Sequence, residues 1–420
     1  MHFINQLIEN IKTQLSNRFV RNLSWLGMSQ MAYRVLRLGL VAIIARFLKP
    51  YDYGLGAIVL TVREFAITFS DIGIGAKLIQ SDESELEDLS NSAYWLNWVI
   101  FASLFVLQCI AAFPISWVQN THEVILPICV AGISYLIWPI SNIQRTLIQR
   151  ENRFNVIAIV DSLQFSLSTI LSALFAIMGM GVWAFALPNV LVSPLEIIIY
   201  RQQNLWRPST NFTTKYWKEI WSFGKNILAV GLLKTLRNNL DYWLILTFLG
   251  VEELGTYFFG FNAGLGISLS LISSVESTIL PHLCTYREEA SELRKSYFKS
   301  LQVVAFIIIP FVLLQSSLAS IYVPVIFGKK WISAIPIVVL ICLSAIPRPF
   351  ADVASQLLVA IGKPHLNFRW NVLFTFLFAA ALMLGIQWKT IGVAIAVLLV
   401  HMVFLPLFTL WVTNYVFGRR

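Results

Sequence analysis

The side chains of this chain that could do chemistry are ionisable groups standing inside long apolar runs. Arg34 and Arg37 share one run, Arg63 and Glu64 a second, Lys234, Arg237 and Asp241 a third, and Arg348 and Asp352 a fourth. A charge held in hydrocarbon costs about 2.5–3.5 kcal/mol even on a lenient insertion scale, so such residues mark a polar interior. At 100° per residue, cations three apart point within about 60° of each other, so each cluster aims one way. Paired guanidinium and ammonium groups are the chemistry of anion binding, above all of phosphate oxygens. The six cations Arg34, Arg37, Arg63, Lys234, Arg237 and Arg348 outnumber the three acids Glu64, Asp241 and Asp352. Counting Asp71, Asp161 and Glu276, nearer the run ends, would cancel the excess. Glu64 and Asp71, on one face of the second run, are candidates with Asp241 and Asp352 for carrying a coupling ion, proton or sodium. For Glu64 and Asp71 the simpler reading is preferred, with Asp71 solvated near the interface. The general alternative is that the charges pair and hold helices together, as in Arg237 with Asp241 or Arg348 with Asp352.

The elements that position these residues follow from composition. The chain has 420 residues, 57% hydrophobic and only 13% charged, with a mean hydropathy of +0.71. Soluble domains carry roughly 25% charged residues, so a chain with several water-facing cores is excluded. A membrane span needs about 20 apolar residues. Runs between charge clusters predict twelve spans, near 23–45, 54–76, 91–113, 124–144, 156–178, 182–200, 221–248, 254–280, 301–323, 333–361, 367–387 and 391–416. An even number puts both termini on one side. That side collects nineteen Lys and Arg, against five (Arg46, Lys49, Lys329, Lys330, Lys389) on the other, which predicts cytoplasmic termini. The formal charge of +9 thus reflects topology, and nucleic-acid binding has no place. Residues 1–20 lack the compact apolar core of a cleavable signal and place Ile4, Leu7, Ile8, Ile11, Leu15 and Phe19 on one face, as an interfacial helix does. Arg348 lies between Pro347 and Pro349, so the tenth span is expected to break there and line a cavity.

Short outer loops, with inner ones longest near 201–220 and 281–300, leave no room for a catalytic domain, so no enzyme activity is expected. No phosphate-binding loop occurs, the five histidines do not cluster, and the four cysteines show no metal or disulfide spacing, so neither a cofactor nor a metal is implied.

The two halves repeat. Arg34-Val35-Leu36-Arg37 recurs 200 residues on as Lys234-Thr235-Leu236-Arg237, and Phe47-Leu48 ahead of Tyr53-Gly54 recurs 201 on as Phe248-Leu249 ahead of Leu254-Gly255. Pro127 and Pro139 meet Pro336 and Pro349 at offsets of 209 and 210. The expected fold is therefore an all-α integral membrane protein of about 12 helices. It has two parallel-repeat six-helix bundles, 21–200 and 221–420, joined by a cytoplasmic linker 201–220, around a central cavity.

The stretch Ala45-Arg46-Phe47-Leu48-Lys49-Pro50-Tyr51-Asp52-Tyr53-Gly54, then Asp71-Ile72-Gly73-Ile74-Gly75-Ala76-Lys77-Leu78-Ile79-Gln80 and Trp95-Leu96-Asn97, resembles the first three helices of the polysaccharide transporters. These are the O-antigen and colanic-acid exporter branch of the multidrug/oligosaccharidyl-lipid/polysaccharide superfamily. Asn152-Arg153-Phe154 resembles the same family's inner loop. The resemblance implies a flippase of the cytoplasmic membrane that moves polyprenyl-pyrophosphate-linked oligosaccharide outward by alternating access. Glycan polymerase and export proteins would be its partners. The doubly charged pyrophosphate suits the cationic interior, with Arg34, Arg37, Arg63, Lys234, Arg237 and Arg348 as its binding groups. Flippases of the peptidoglycan lipid precursor also carry arginines in their first two helices and give the alternative reading. Drug antiporters of the superfamily would favour acidic interiors, and a membrane glycan polymerase would need a long outer loop.

Overall fold

The computed structural model describes residues 39–119, 121–286 and 289–418. From the second expected span onward, each run carries a helix or a chain of helices. The second run is α1 (Pro50–Ser70) and α2 (Ile74–Gln80), and the third is α3 (Leu86–Gln119). The fourth comprises α4 (Ile125–Gly132), α5 (Ser134–Ile137) and α6 (Pro139–Arg150), the fifth α7 (Phe154–Ile177) and the sixth α8 (Trp183–Val192) with α9 (Pro194–Gln203). The second half runs α10 (Trp217–Leu249), α11 (Val251–Thr285), α12 (Ala290–Tyr322), α13 (Ile335–Leu343), α14 (Arg348–Ala360), α15 (Pro364–Gly385) and α16 (Lys389–Phe417). Of the first span, only a helix over residues 39–47 is described, and the interfacial segment 1–20 lies outside the described residues.

Among the described residues, six helices are long and apolar enough to cross a membrane, or seven if the fourth run, bent by 54° before Pro139, counts as one. Helix α1, with Arg63 and Glu64, and α10, with Lys234, Arg237 and Asp241, are not among them. Large apolar side chains face outward, Phe306 84% and Phe376 71% exposed among them. In water such a belt would be an aggregation surface; in lipid it is solvated. The chain is a multi-pass membrane protein.

Breaks fall where the chain chemistry puts them. α1 stops at Asp71 and restarts after Gly73, whose φ of +74° suits a residue without Cβ. The tenth run breaks between Leu343 and Arg348, with Pro349 in the first turn of α14, where a missing N–H costs nothing. The fourth run breaks 210 residues earlier, with Pro139 opening α6. One boundary differs from expectation. α11 runs to Thr285 and α12 starts at Ala290, so helix covers most of the long inner loop expected over 281–300. Polar helix ends prolong apolar runs beyond the membrane, which a hydropathy count reads as loop.

The segment 204–216 lies across the near end of α3. Trp95 Nε1 donates to the Asn211 carbonyl at 3.0 Å, Ser209 N to Asn91 Oδ1 at 2.9 Å and Trp217 Nε1 to the Ser92 carbonyl at 3.0 Å. Lys215 donates to Asp88 at 2.8 Å, a hydrogen bond that raises the ammonium's pKa.

Helix α1 ties the halves together, packing along both α10 and α11. Thr61 Oγ1 donates to Asn239 Oδ1 at 3.3 Å, and Thr68 and Thr235 share a 2.8 Å hydrogen bond. Near the linker end Gly224 meets Ile72; a Cβ on Gly224 would lie 1.5 Å from the Ile72 carbonyl oxygen. At the other end Gly54 and Gly255, the repeated glycines, bring α1 and α11 into backbone contact. There Trp331, fully buried, stacks on Phe259 at 3.9 Å, meets Tyr53 edge-on at 4.9 Å and donates Nε1 to the Ala45 carbonyl at 2.8 Å. Lys330 Nζ caps the carbonyls of Arg46 and Leu48, where a helix C-terminus favours a cation.

Candidate functional site

A cavity of about 420 Å³ opens among α10, α14, α15 and α16, with Glu64 of α1 at its edge. Its charged lining is Arg237 and Asp241 from α10, Arg348 and Asp352 from α14, and Glu64. Helix periodicity places them. Arg237 and Asp241 are one turn apart on α10, and Arg348 and Asp352 one turn apart on α14, whose start at the break turns Arg348 inward.

Each group is held in a defined way. Asp241 is 3% exposed; its Oδ2 accepts from the Tyr257 hydroxyl at 2.8 Å and its Oδ1 from the Tyr242 amide at 3.0 Å. Arg237 donates from Nη1 to Asn371 Oδ1 at 2.5 Å and lies over the Phe374 ring at 5.9 Å. Asn371 in turn donates to Asn367, fixing its amide orientation. Arg348 has Asp352 and Asp241 as its main acidic influences, yet its Nε is buried with no hydrogen-bond partner among the described residues. His401, 7% exposed, sits edge-on to Phe374 and Phe378 at 5.5 and 5.6 Å, with Nδ1 2.7 Å from the Val397 carbonyl. A carbonyl only accepts, so Nδ1 carries the hydrogen and Nε2 is left as the second polar atom of the ring. Trp370 and Phe408 stack at 4.9 Å on the same wall. Aromatic faces, amides and two guanidiniums form a pocket able to grip a sugar ring and an attached anion.

Of the residues singled out in sequence, Arg237, Arg348, Asp241, Asp352 and Glu64 meet at this cavity. Arg34 and Arg37 lie outside the described residues. Arg63 does not line the cavity: it turns the other way from its neighbour Glu64, and its guanidinium lies 5.5 Å over Trp138 in the first half. Adjacent helical residues point 100° apart, so they cannot serve one site. Lys234 is exposed and outside the lining, because the 60° between it and Arg237 carries it past the cavity edge. Asp71 caps the end of α1, exposed and apart from Glu64, since the helix stops there. The expected pairing of Arg237 with Asp241 gives way to Asn371 and Tyr257 as their respective partners. With Arg63 and Lys234 elsewhere, the charged lining has two arginines and three acids, so the described cavity lacks the cationic excess expected.

His401 and the polar face of α15 are not among the residues that charge spacing points to. Asn367, Trp370, Asn371, Phe374 and Phe378 recur at helical spacing, a signal that was available but hidden because the residues are neutral or aromatic.

The fold has counterparts among solved structures. Over 92% of this chain and 86% of the other, it matches the lipid II flippase MurJ in an inward closed conformation, with a TM-score of 0.74 at 13% identity. It also matches an inward-facing multidrug resistance MATE family transporter of the MOP superfamily, TM-score 0.68 at 13% identity, over 91% of this chain and 94% of that one. The fold is the one these two proteins share. Residues 43–336 match the polysaccharide biosynthesis protein family, and the chain belongs to it. Among its relatives, the lipopolysaccharide biosynthesis protein WzxC of Escherichia coli (strain K12) is 28% identical over 88% of this chain and 76% of that protein. The teichuronic acid biosynthesis protein TuaB of Bacillus subtilis (strain 168) is 25% identical over 89% and 77%. The succinoglycan biosynthesis transport protein ExoT of Rhizobium meliloti (strain 1021) is 21% identical over 84% and 71%.

Proposed function

We propose that the protein is a flippase that carries a polyprenyl-pyrophosphate-linked oligosaccharide from the cytoplasmic to the outer leaflet of the cytoplasmic membrane. The observation that carries the reading is Arg348: a half-buried arginine, presented at a helix break, whose buried Nε has no hydrogen-bond acceptor among the described residues. An unmet charged donor at membrane depth calls for an anionic partner, and a pyrophosphate supplies paired acceptors. The relatives named for lipopolysaccharide, teichuronic acid and succinoglycan biosynthesis support a glycan as the cargo. The amide and aromatic wall beside Arg237 suits the first sugars.

In this reading the chain crosses the membrane twelve times as two six-helix bundles, 21–200 and 221–420, with both termini and the linker 201–220 in the cytoplasm. The matched breaks before Pro139 and at Arg348 support the repeat. The basic linker supports the orientation. Arg34 and Arg37 stand with Arg237 and Arg348 as pyrophosphate groups, and the carrier itself performs no covalent chemistry. Transport couples to an ion, for which the acids Glu64, Asp241 and Asp352 of the cavity edge are candidates, and glycan polymerase and export proteins receive the product. Cells deprived of the chain should lose the surface glycan and accumulate its lipid-linked repeat unit facing the cytoplasm. Loss of the glycan without that accumulation would place the block before transport and remove the reading.

A further inference from the structure

A second set of charges gathers in the first half, on the far side of α1 from the cavity. Its centre is Glu196 of α9, whose Oε1 is buried without a hydrogen-bond partner among the described residues. Four helices aim ionisable groups at it. Arg63 of α1 has its Nε buried and unpartnered. Arg145 of α6 is paired with Asp161 of α7 at 3.1 Å. Tyr200, one turn further along α9 and 1% exposed, has the Arg145 guanidinium as the polar neighbour of its hydroxyl. Tyr135 of α5 stands next to Arg63 and donates its hydroxyl to Gln108 at 2.7 Å. Helix α8, which also packs on α9, carries no ionisable group.

An ionised carboxylate needs donors for both oxygens, and burying one without them disfavours the charged form. Two arginines are at hand, yet one already holds Asp161 and the other leaves its Nε unused. That arrangement fits a neutral carboxyl, with a guanidinium in reserve for the moment its proton leaves. A charge network built only to hold helices would close these bonds. The site is also within reach of water: Glu196 stands seven residues before the end of α9, about 10 Å along the helix. The Arg145 and Asp161 side chains are about half exposed. Two neighbouring guanidiniums repel any cation, but a proton is held in a covalent O–H bond whereas a metal ion would be held by charge alone.

We infer that Glu196 is a proton-exchange site, set in the first half and separate from the cavity, that couples transport to proton movement. The step is simple. The Glu196 O–H bond breaks, the proton passes to water, and the carboxylate turns to Arg63; reprotonation releases Arg63. The coupling role rests on the transport reading above, whereas proton binding does not. At an offset of 210 Asp161 corresponds to Asn371, so the acid of one half is an amide in the other.

The test is a proton titration of the purified full-length protein in lipid nanodiscs, in potassium chloride without sodium or glycan. Between about pH 5 and 9 the wild type should take up about one proton more than Glu196→Gln, with both proteins equally folded by melting. Identical curves overturn the proposal. Should Glu196→Gln fail to insert, Arg63→Gln decides: it removes the partner of the ionised form and must raise the pH at which that proton is lost. An unmoved midpoint overturns the site. Proton release on adding sodium at fixed pH would overturn the choice of proton over metal ion. In cells, an uncoupler should lower wild-type surface glycan and leave the Glu196→Gln level, already low, unchanged; equal responses overturn coupling. The titration contains no glycan, so it and the transport reading fail separately.

Discussion

Replacing Gly255 by Ala isolates the contact that closes the halves at the end opposite the linker. A Cβ there would lie 1.7 Å from the Pro50 carbonyl oxygen and 2.7 Å from the Gly54 nitrogen. Carbon meets carbonyl oxygen at about 3.3 Å, so α11 must move about 1.6 Å away from α1. Pro50 O and Gly54 N are backbone atoms that cannot rotate aside. Overpacking of this kind costs about 1–3 kcal/mol, equal to about a 5- to 150-fold shift toward a state in which the helices have parted. The sign is diagnostic, because Gly to Ala inside a helix otherwise stabilises by about 1 kcal/mol. The assay uses a variant with its native cysteines replaced and one cysteine at Ala45, a fully buried position beside Trp331. A water-soluble thiol reagent should label it faster by that factor when Gly255 is Ala, and the melting temperature should fall. Unchanged labelling with a raised melting temperature would refute the close approach and the closure built on it.

Other predictions follow from the same geometry. Arg348→Ala and Arg237→Ala should abolish surface glycan while leaving membrane insertion intact, with Lys at either position restoring only part, since an ammonium lacks the planar fork; export assays on the four variants check this. Trp331→Ala removes a buried stack and a hydrogen bond and should destabilise by about 3–5 kcal/mol, read from thermal unfolding in detergent. Reversing the Lys77–Glu219 pair, which is partly exposed, should change stability by less than about 1 kcal/mol. Single cysteines at Ser209 and Lys329 should react with an impermeant thiol reagent in opposite ways: Lys329 in intact cells, Ser209 only after permeabilisation.

Much of this was legible in the residues. Apolar runs located the helices because a span must be long and dry, and Pro347 with Pro349 announced the break that turns Arg348 inward. The repeated Tyr53-Gly54 and Leu254-Gly255 pairs suggest a relation between halves but say nothing of the two glycines touching each other, which is a fact of packing. Charge spacing found Arg237, Asp241, Arg348 and Asp352. It misassigned Arg63, because adjacent charges in a run look alike although their side chains point 100° apart. Glu196 escaped notice as a single acid near a run's end, and His401 as a single histidine in an apolar run. Only the tertiary arrangement shows that one lacks a partner and the other faces a cavity.

The central claim is tested most directly by reconstitution. The purified chain is placed in vesicles loaded with a polyprenyl-pyrophosphate-linked oligosaccharide, and an impermeant glycosidase outside reports how much becomes accessible. The account predicts that wild-type protein exposes the inner pool over time, that Arg348→Ala does not, and that a lipid-linked sugar lacking the pyrophosphate charge is carried poorly. Wild-type vesicles no faster than protein-free ones, or an Arg348→Ala variant as fast as wild type, would contradict it.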